Sequence, residues 1–146
     1  MADIKRVARV RWNGDLRTGK GRIDTESGVL ADVEYSFSTR FEDEPGTNPE
    51  ELIAAAHAAC YSMAFANVLA ERGYDPETIE THATCSLTPL EEGGFEITGM
   101  RLVVSGEVED IDEETFRRIA YEADEECPVS NLLREGLQIT LEPALV

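Results

Sequence analysis

The first third of the chain alternates apolar and polar positions in a way that predicts β-strands. One strand centres on Val10 and Trp12, and an Asn-Gly-Asp turn leads to a second strand that extends through Gly21. A third strand is predicted over residues 33–41, where aromatic and polar side chains alternate. On this strand Arg40 lies opposite the apolar face, just before an acidic loop.

A long apolar helix is predicted over residues 49–72. Asn48 suits the N-cap with Pro49 in the first helical position, and Glu51 stands where a capping box requires an acid. Gly73 is the residue type favoured just past a helix end. Few polar positions interrupt the helix, so we expect burial on most sides, and its alanines allow a second element to approach closely.

The second half predicts a hairpin and a further helix. Residues 79–87 alternate, and Gly93 with Gly94 forms a turn into a strand at residues 95–108. Asp110 is expected to open a helix whose apolar stripe continues to Cys127, which therefore faces inward at a helix end.

The C-terminal pattern predicts a short turn over residues 130–135, which stops at Gly136, and a last strand over residues 137–141. The order of strands, helix, hairpin, helix and strand is typical of an α+β domain. No repeat or linker divides the chain, and 146 residues suit one domain that spans residues 1–146.

Charge excludes several kinds of partner. Thirteen Lys and Arg stand against thirty Asp and Glu, which gives a formal net charge of -17. Such an excess repels nucleic acid and anionic lipid surfaces, so we expect neither as a partner. No apolar run approaches the roughly 20 residues that cross a bilayer, and residues 1–11 do not resemble a signal peptide, so a cytoplasmic location is expected.

The three cysteines are too few for a disulfide framework, which leaves redox-active or buried thiols. Thiol redox chemistry needs one thiolate that attacks and a second thiol that can reach it afterwards. Cys60 in the long helix suits attack, and Cys127 at a helix end suits resolution. The alternative is that both are ordinary core cysteines, which is also our interpretation of Cys85.

Arg40 and Glu50 are candidates for tuning a thiolate. A nearby arginine lowers a thiol pKa by stabilising the charged form, although an exposed strand arginine without such a role is the alternative. Glu50 could orient the arginine, or simply favour the helix macrodipole. His57 lies three residues before Cys60, which raises a Cys-His pair or a metal site. Two histidines and no Cys-x-x-Cys argue against zinc, and no phosphate loop or serine-hydrolase elbow is present.

Four segments of the sequence form a recognisable set. They are Thr-Glu-Ser-Gly-Val-Leu at residues 25–30, Gly-Thr-Asn-Pro-Glu-Glu-Leu at 46–52, Ala-Ala-Ala-His-Ala-Ala-Cys at 54–60 and Cys-Pro-Val-Ser at 127–130. Together they resemble the OsmC/Ohr family, particularly its osmotically inducible OsmC branch. The resemblance implies a cysteine-based peroxidase that reduces organic hydroperoxides to alcohols. It also implies antiparallel sheets around a long central helix in an intertwined homodimer, with no metal or nucleotide cofactor.

The resemblance also implies roles for individual residues. Cys60 would be the peroxidatic cysteine and Cys127 the resolving one, with a sulfenic acid on Cys60 followed by a Cys60–Cys127 disulfide. Glu50 corresponds to the family's catalytic glutamate and Arg40 to the arginine of the OsmC branch, whose pattern His57 also follows. An external thiol or dithiol, either a small molecule or a protein-bound lipoyl-type group, would reduce the disulfide.

Glu50 and Cys60 are ten residues apart on the predicted helix, or roughly 15 Å along its axis, which a carboxylate cannot span. A two-fold dimer resolves this if Glu50 of one copy serves Cys60 of the other, which predicts two shared sites. The competing hypothesis is a non-catalytic binding or stress-interaction module on the same fold.

Overall fold

The structure is a computed structural model that describes residues 2–146, and its elements form an α+β fold with antiparallel sheets, as predicted. In chain order the elements are β1 Ala8–Asn13, β2 Lys20–Thr25, β3 Val33–Tyr35, α1 Phe37–Phe41, α2 Pro49–Glu71, β4 Pro76–Pro89, β5 Phe95–Val108, α3 Glu113–Glu126 and α4 Pro128–Glu135. The chain divides into two compact units, one ending at Ile53 and the other beginning at Ala54. The boundary lies inside α2, and the single domain remains a prediction.

The first unit contains a three-stranded antiparallel sheet in the order β1-β2-β3. Gly21 on β2 pairs with Trp12 on β1 and with Tyr35 on β3. The two aromatic rings meet edge to face, with centroids 5.5 Å apart. A Cβ atom on Gly21 would lie 2.3 Å from the Tyr35 ring and 2.8 Å from the Trp12 ring, so the glycine is what allows this packing. The first two predicted strands are confirmed.

The predicted third strand is wrong beyond Tyr35, because Arg40 lies on the short helix α1. Ser36 is extended and caps this helix: its hydroxyl accepts from the Thr39 N–H, and the Thr39 hydroxyl accepts from the Ser36 N–H at 2.9 Å. These reciprocal bonds form a capping box and end the strand. The apolar alternation continues into α1, which is why the pattern alone suggested a strand.

Helix α2 begins at the expected place. The Asn48 carboxamide oxygen accepts from the Glu51 N–H at 2.8 Å, which confirms Asn48 as the cap. The Glu51 carboxylate does not complete a capping box at Asn48 but accepts from the Thr47 hydroxyl at 2.8 Å. The helix ends at Glu71, and Gly73 follows with a φ of 87°, a left-handed conformation that glycine tolerates.

The core of the second unit lies where α2 meets α3. Phe65, Val68 and Leu69 of α2 are fully buried with Ile119 and Ala123 of α3. Another side of α2 is exposed, at Ala55, Ala56, Ala59, Met63 and Asn67. Burial on most sides is therefore seen only in part. The helix is long and apolar enough to cross a membrane, as core helices of soluble proteins also can be, and in this structure one of its faces packs against α3.

Strands β4 and β5 form the predicted hairpin, paired antiparallel along their length. Helix α3 begins later than predicted, because the Asp112 carboxylate, and not Asp110, accepts from the Thr115 N–H at 2.7 Å. Asp110 instead lies in the connecting turn with a φ of 58°.

The chain beyond α3 differs from prediction in two respects. The expected turn at residues 130–135 belongs to the helix α4, which Cys127 caps and Gly136 ends. The predicted strand at residues 137–141 is not formed among the described residues, since a lone extended segment needs a neighbouring strand to complete its hydrogen bonds. Its apolar side chains Leu137, Ile139 and Leu141 are 66%, 85% and 82% exposed.

Candidate active site

Arg40 and Glu50 form an ion pair in the first unit. The Arg40 Nη2 atom lies 2.7 Å from Glu50 Oε1, and Arg40 Nε lies 3.1 and 3.2 Å from the two carboxylate oxygens. Two neighbouring guanidinium donors thus bind one carboxylate, which is the arrangement that makes an arginine–carboxylate pair strong. Glu50 is only 7% exposed, whereas a third of the Arg40 side chain is accessible. The guanidinium is thus held in place with one edge open.

Short-range features of the sequence hold the two ends of this pair. The capping box of Ser36 and Thr39 fixes α1, which carries Arg40 in its last turn. Glu50 stands in the first turn of α2, and the Asn48 carboxamide nitrogen donates to the Thr39 carbonyl at 3.2 Å, which ties the two helix ends together. Contacts between residues close in the sequence therefore position both members of the pair.

Cys60 and Cys127 lie together in the second unit. Each thiol shifts the pKa of the other, which places the two side chains close together although 67 positions separate them in the sequence. Cys127 is fully buried at the junction of α3 and α4, and Cys60 on α2 is half-buried against the same core. The Cys127 sulfur accepts from the Ser130 N–H at 3.4 Å, in the first turn of α4. The two thiols are close enough to interact directly.

The surroundings shift the pKa values of these thiols in opposite directions. Burial above all raises the pKa of Cys60, and the neighbouring Cys127 adds to this. Burial also opposes ionisation of Cys127, but hydrogen bonds from the Ser130 hydroxyl and N–H, the Cys60 thiol and the Val129 N–H outweigh it and lower the Cys127 pKa. Of the two thiols, Cys60 is therefore the one whose surroundings in this unit favour the protonated form, and a nearby cation would lower its pKa.

His57 bonds to Ser130. Its ring Nε2 lies 2.7 Å from the Ser130 hydroxyl oxygen, and both residues are buried, at 5% and 3% exposure. Burial above all lowers the pKa of His57 and favours the neutral ring. Among residues 2–146, no group of three or more His, Cys, Asp or Glu side chains could hold a metal ion.

Ser130 was not among the residues predicted to form the site. Its signal in the sequence is its position three residues after Cys127. If Cys127 is a helix N-cap, Ser130 is the N3 residue, whose backbone N–H bonds to the cap side chain. The turn assignment for residues 130–135 concealed that relationship.

An open groove of about 710 Å³ lies beside His57 and Ser130 in the second unit. Apolar side chains of β5 and α3 line much of it, and Arg117 and Arg134 lie at its polar part. Neither Cys60 nor Cys127 lines this groove. The thiol pair and this cavity are thus separate features.

Comparison with known proteins gives the family. The model of the family described as OsmC-like protein matches residues 41–142, a segment that contains Glu50, Cys60 and Cys127 and begins one residue after Arg40. The chain is 48% identical over 139 residues to "Peroxiredoxin OsmC" of Escherichia coli, with 95% of each chain covered. It is 35% identical over 123 residues to "Organic hydroperoxide resistance protein OhrB" of Bacillus subtilis, with 84% of this chain and 88% of the relative covered.

Solved structures agree with this assignment. The crystal structure of OhrB of Bacillus subtilis matches with a TM-score of 0.69 and 33% identity, over 88% of this chain and 91% of the other. A protein of Legionella pneumophila described as an organic hydroperoxide resistance protein OsmC shares the fold at 23% identity, with a TM-score of 0.67 over 93% of each chain. The chain therefore belongs to the OsmC-like family.

Proposed function

We propose that the protein reduces organic hydroperoxides to alcohols through a dithiol cycle of Cys60 and Cys127. The enzyme class rests on the relatives named peroxiredoxin and organic hydroperoxide resistance protein, and the chain is accordingly a thiol-dependent peroxidase. The observation that carries the finer proposal is that two thiols from distant parts of the sequence, one on α2 and one at the α3–α4 junction, pack at the same core and shift each other's pKa.

The proposed cycle begins at Cys60. Its thiolate attacks the distal oxygen of the hydroperoxide, the O–O bond breaks, and the organic group leaves as an alkoxide that takes up a proton to become an alcohol. Cys60 is oxidised to a sulfenic acid. Cys127 then attacks the sulfenic sulfur, an S–S bond forms, and the oxygen leaves as water. An external thiol or dithiol reduces the disulfide, and no metal or organic cofactor takes part.

Cys60 needs a cation to ionise, because burial raises its pKa within its own unit. We assign this role to Arg40, whose guanidinium Glu50 holds with one edge open. Arg40 would stabilise both the thiolate and the developing alkoxide. Glu50 and Cys60 lie ten residues apart on the continuous helix α2, roughly 15 Å along its axis, so the Arg40–Glu50 pair is proposed to serve Cys60 of a second copy.

Two exposed features support such a homodimer. The alanine-rich side of α2, with Met63 75% exposed, offers a surface on which a second helix can approach closely. The apolar side chains of residues 137–141 keep the alternation of a strand without a paired neighbour among the described residues. A second copy that covers both surfaces would form an isologous interface and two shared sites.

The organic part of the substrate follows from the same surfaces. Apolar walls contributed by α2 favour alkyl or aryl hydroperoxides over hydrogen peroxide, because burying carbon contributes about 25 cal/mol per Å². The reductant would approach the Cys60 side, since Cys127 is fully buried and Cys60 is not.

The cycle is tested with single cysteine variants and cumene hydroperoxide. With excess dithiol present, Cys60→Ser should abolish peroxide consumption. Cys127→Ser, freed of dithiol and given one equivalent of hydroperoxide, should complete one turnover and leave a sulfenic acid that dimedone traps. Normal activity of Cys60→Ser would overturn the proposal. A wild-type protein that consumes no hydroperoxide would instead support the non-catalytic module.

The shared site is tested by mixing chains. Cys60→Ser and Glu50→Ala homodimers each lack one component at both sites, but an exchanged heterodimer regenerates one complete site. Partial recovery of activity after exchange is expected. Absence of recovery, with exchange proven by native mass spectrometry, would contradict a site built from two copies.

A further inference from the structure

A line of buried polar contacts leads from His57 to the Cys127 sulfur. The His57 Nε2 atom lies 2.7 Å from the Ser130 hydroxyl oxygen, and the Ser130 N–H donates to the Cys127 sulfur at 3.4 Å. The Ser130 hydroxyl also lowers the pKa of the Cys127 thiol. Each of the three residues is buried, and buried polar groups are seldom left without a hydrogen-bond partner.

The unpaired ring nitrogen of His57 indicates in which direction these hydrogen bonds are donated. His57 Nδ1 is buried and has no hydrogen-bond partner among the described residues. A buried N–H without an acceptor is rarer and costlier than an unpaired acceptor, so the neutral ring carries its proton on Nε2. His57 then donates to the Ser130 oxygen, which leaves the Ser130 hydroxyl hydrogen available to the Cys127 sulfur, the thiol whose pKa this hydroxyl lowers.

We propose that His57 and Ser130 are positioning residues for disulfide formation, which hold the Cys127 sulfur as a hydrogen-bond acceptor facing Cys60. This inference rests on the disulfide step of the proposed function. Neither residue touches the hydroperoxide in this proposal; Ser130 acts on Cys127, and His57 acts through Ser130.

In the balanced step, the Cys127 sulfur attacks the sulfenic sulfur of Cys60. The S–S bond forms as the S–O bond breaks. The oxygen leaves as water, which carries the hydrogen of the sulfenic hydroxyl and the proton that the Cys127 thiol gave up. The Cys127 thiol is oxidised and the sulfenic sulfur is reduced. Donors aimed at the attacking sulfur raise its thiolate fraction at neutral pH, which speeds attack.

Charged neighbours of this line come from three helices. Asp124 on α3 and Arg134 on α4 act on His57 in opposite directions and pair with one another. Tyr61 on α2 faces Cys127 and Asp124, and burial above all raises its pKa, so it stays neutral. His57 and Cys60 are the other titratable groups on α2 that act here.

The test separates the two chemical steps in a single turnover with one equivalent of cumene hydroperoxide. Peroxide loss reports sulfenic acid formation, and mass spectrometry of alkylated samples quenched over time reports disulfide formation. Ser130→Ala and His57→Phe should leave the first step unchanged and slow the second by about tenfold, the effect of losing one charge-assisted hydrogen bond. His57→Gln, whose amide N–H can replace Nε2–H, should recover much of the rate. His82→Gln, at an exposed histidine, is the matched control.

The pH profile distinguishes positioning from mere packing. The rate of the second step should fall at low pH as Cys127 protonates, and its midpoint should lie at higher pH in Ser130→Ala than in the wild type. Thiolate absorbance at 240 nm in a Cys60→Ser, Cys85→Ala background gives the same comparison without turnover. Unchanged rates and midpoints in both Ser130→Ala and His57→Phe would overturn the inference while the wild type still forms its disulfide. A wild type that forms none would refute the proposed cycle instead.

Discussion

Replacing Glu50 by glutamine removes the charge that holds Arg40 while keeping the size of the side chain. The native carboxylate accepts three guanidinium contacts at 2.7, 3.1 and 3.2 Å. The glutamine oxygen can accept from one edge only, and its NH₂ group then faces a guanidinium donor. The variant therefore loses at least one charge-assisted hydrogen bond, and its remaining contact with the guanidinium has poorer geometry.

The size of the effect follows from burial. A hydrogen bond to a charged group contributes about 1.5–3 kcal/mol, and the partial exposure of Arg40 reduces this to about 1–2 kcal/mol. Since 1.4 kcal/mol is about a factor of ten, we expect the second-order rate constant for the hydroperoxide to fall by roughly tenfold. Disulfide formation should not change, because Glu50 acts only on the first step.

Stopped-flow measurement with cumene hydroperoxide under pseudo-first-order conditions gives this rate constant directly. Glu51→Gln is the matched control, since Glu51 is exposed and bonds the Thr47 hydroxyl rather than Arg40. It should react at the wild-type rate. If Glu50→Gln also reacted at the wild-type rate, Arg40 would not depend on this pair and the role proposed for Glu50 would be refuted.

Three further changes test the surroundings of the site. Ser36→Ala removes the cap of α1 and should lower the free energy of unfolding by about 1 kcal/mol and slow the peroxide step, measured by urea denaturation and stopped flow. Hydrogen bonds from Thr115 hold the Asp112 pKa below its usual 3.8, so this cap stabilises the folded protein at pH above about 4. The difference in stability between the wild type and Asp112→Ala should therefore shrink as the pH falls below that value, measured by thermal unfolding from pH 7 to 2.5. Cys85→Ala should lower stability by about 1 kcal/mol through a small cavity and leave both chemical steps unchanged; a slow peroxide step would contradict the roles given to the cysteines.

Sequence patterns predicted most of the fold because the relevant forces act over short range. The cap at Asn48, the glycine after α2 and the turn glycines of the hairpin each act within a few residues, and the corresponding elements formed as expected. The Ser36 capping box is equally local, but the aromatic alternation continued through it and suggested a strand. Arg40 was therefore placed on the wrong element and still meets Glu50, because both lie at the ends of one short loop.

Features that depend on distant parts of the chain were harder to predict. The contact of His57 with Ser130 spans 73 positions, so the spacing to Cys60 suggested a Cys-His pair while the folded chain gives His57 a different partner. The strand expected at residues 137–141 needs a paired neighbour, which no periodicity within the segment can supply. The proposed dimer is a property of two chains and lies beyond the contacts of one.

The most direct test of the dithiol cycle is a count of thiols before and after oxidation. The reduced chain holds the thiols of Cys60, Cys85 and Cys127. One equivalent of cumene hydroperoxide should remove two of them, and digestion without reductant should yield one peptide pair that joins Cys60 to Cys127 while Cys85 remains alkylatable. Retention of all three thiols, or a disulfide that contains Cys85, would contradict the cycle.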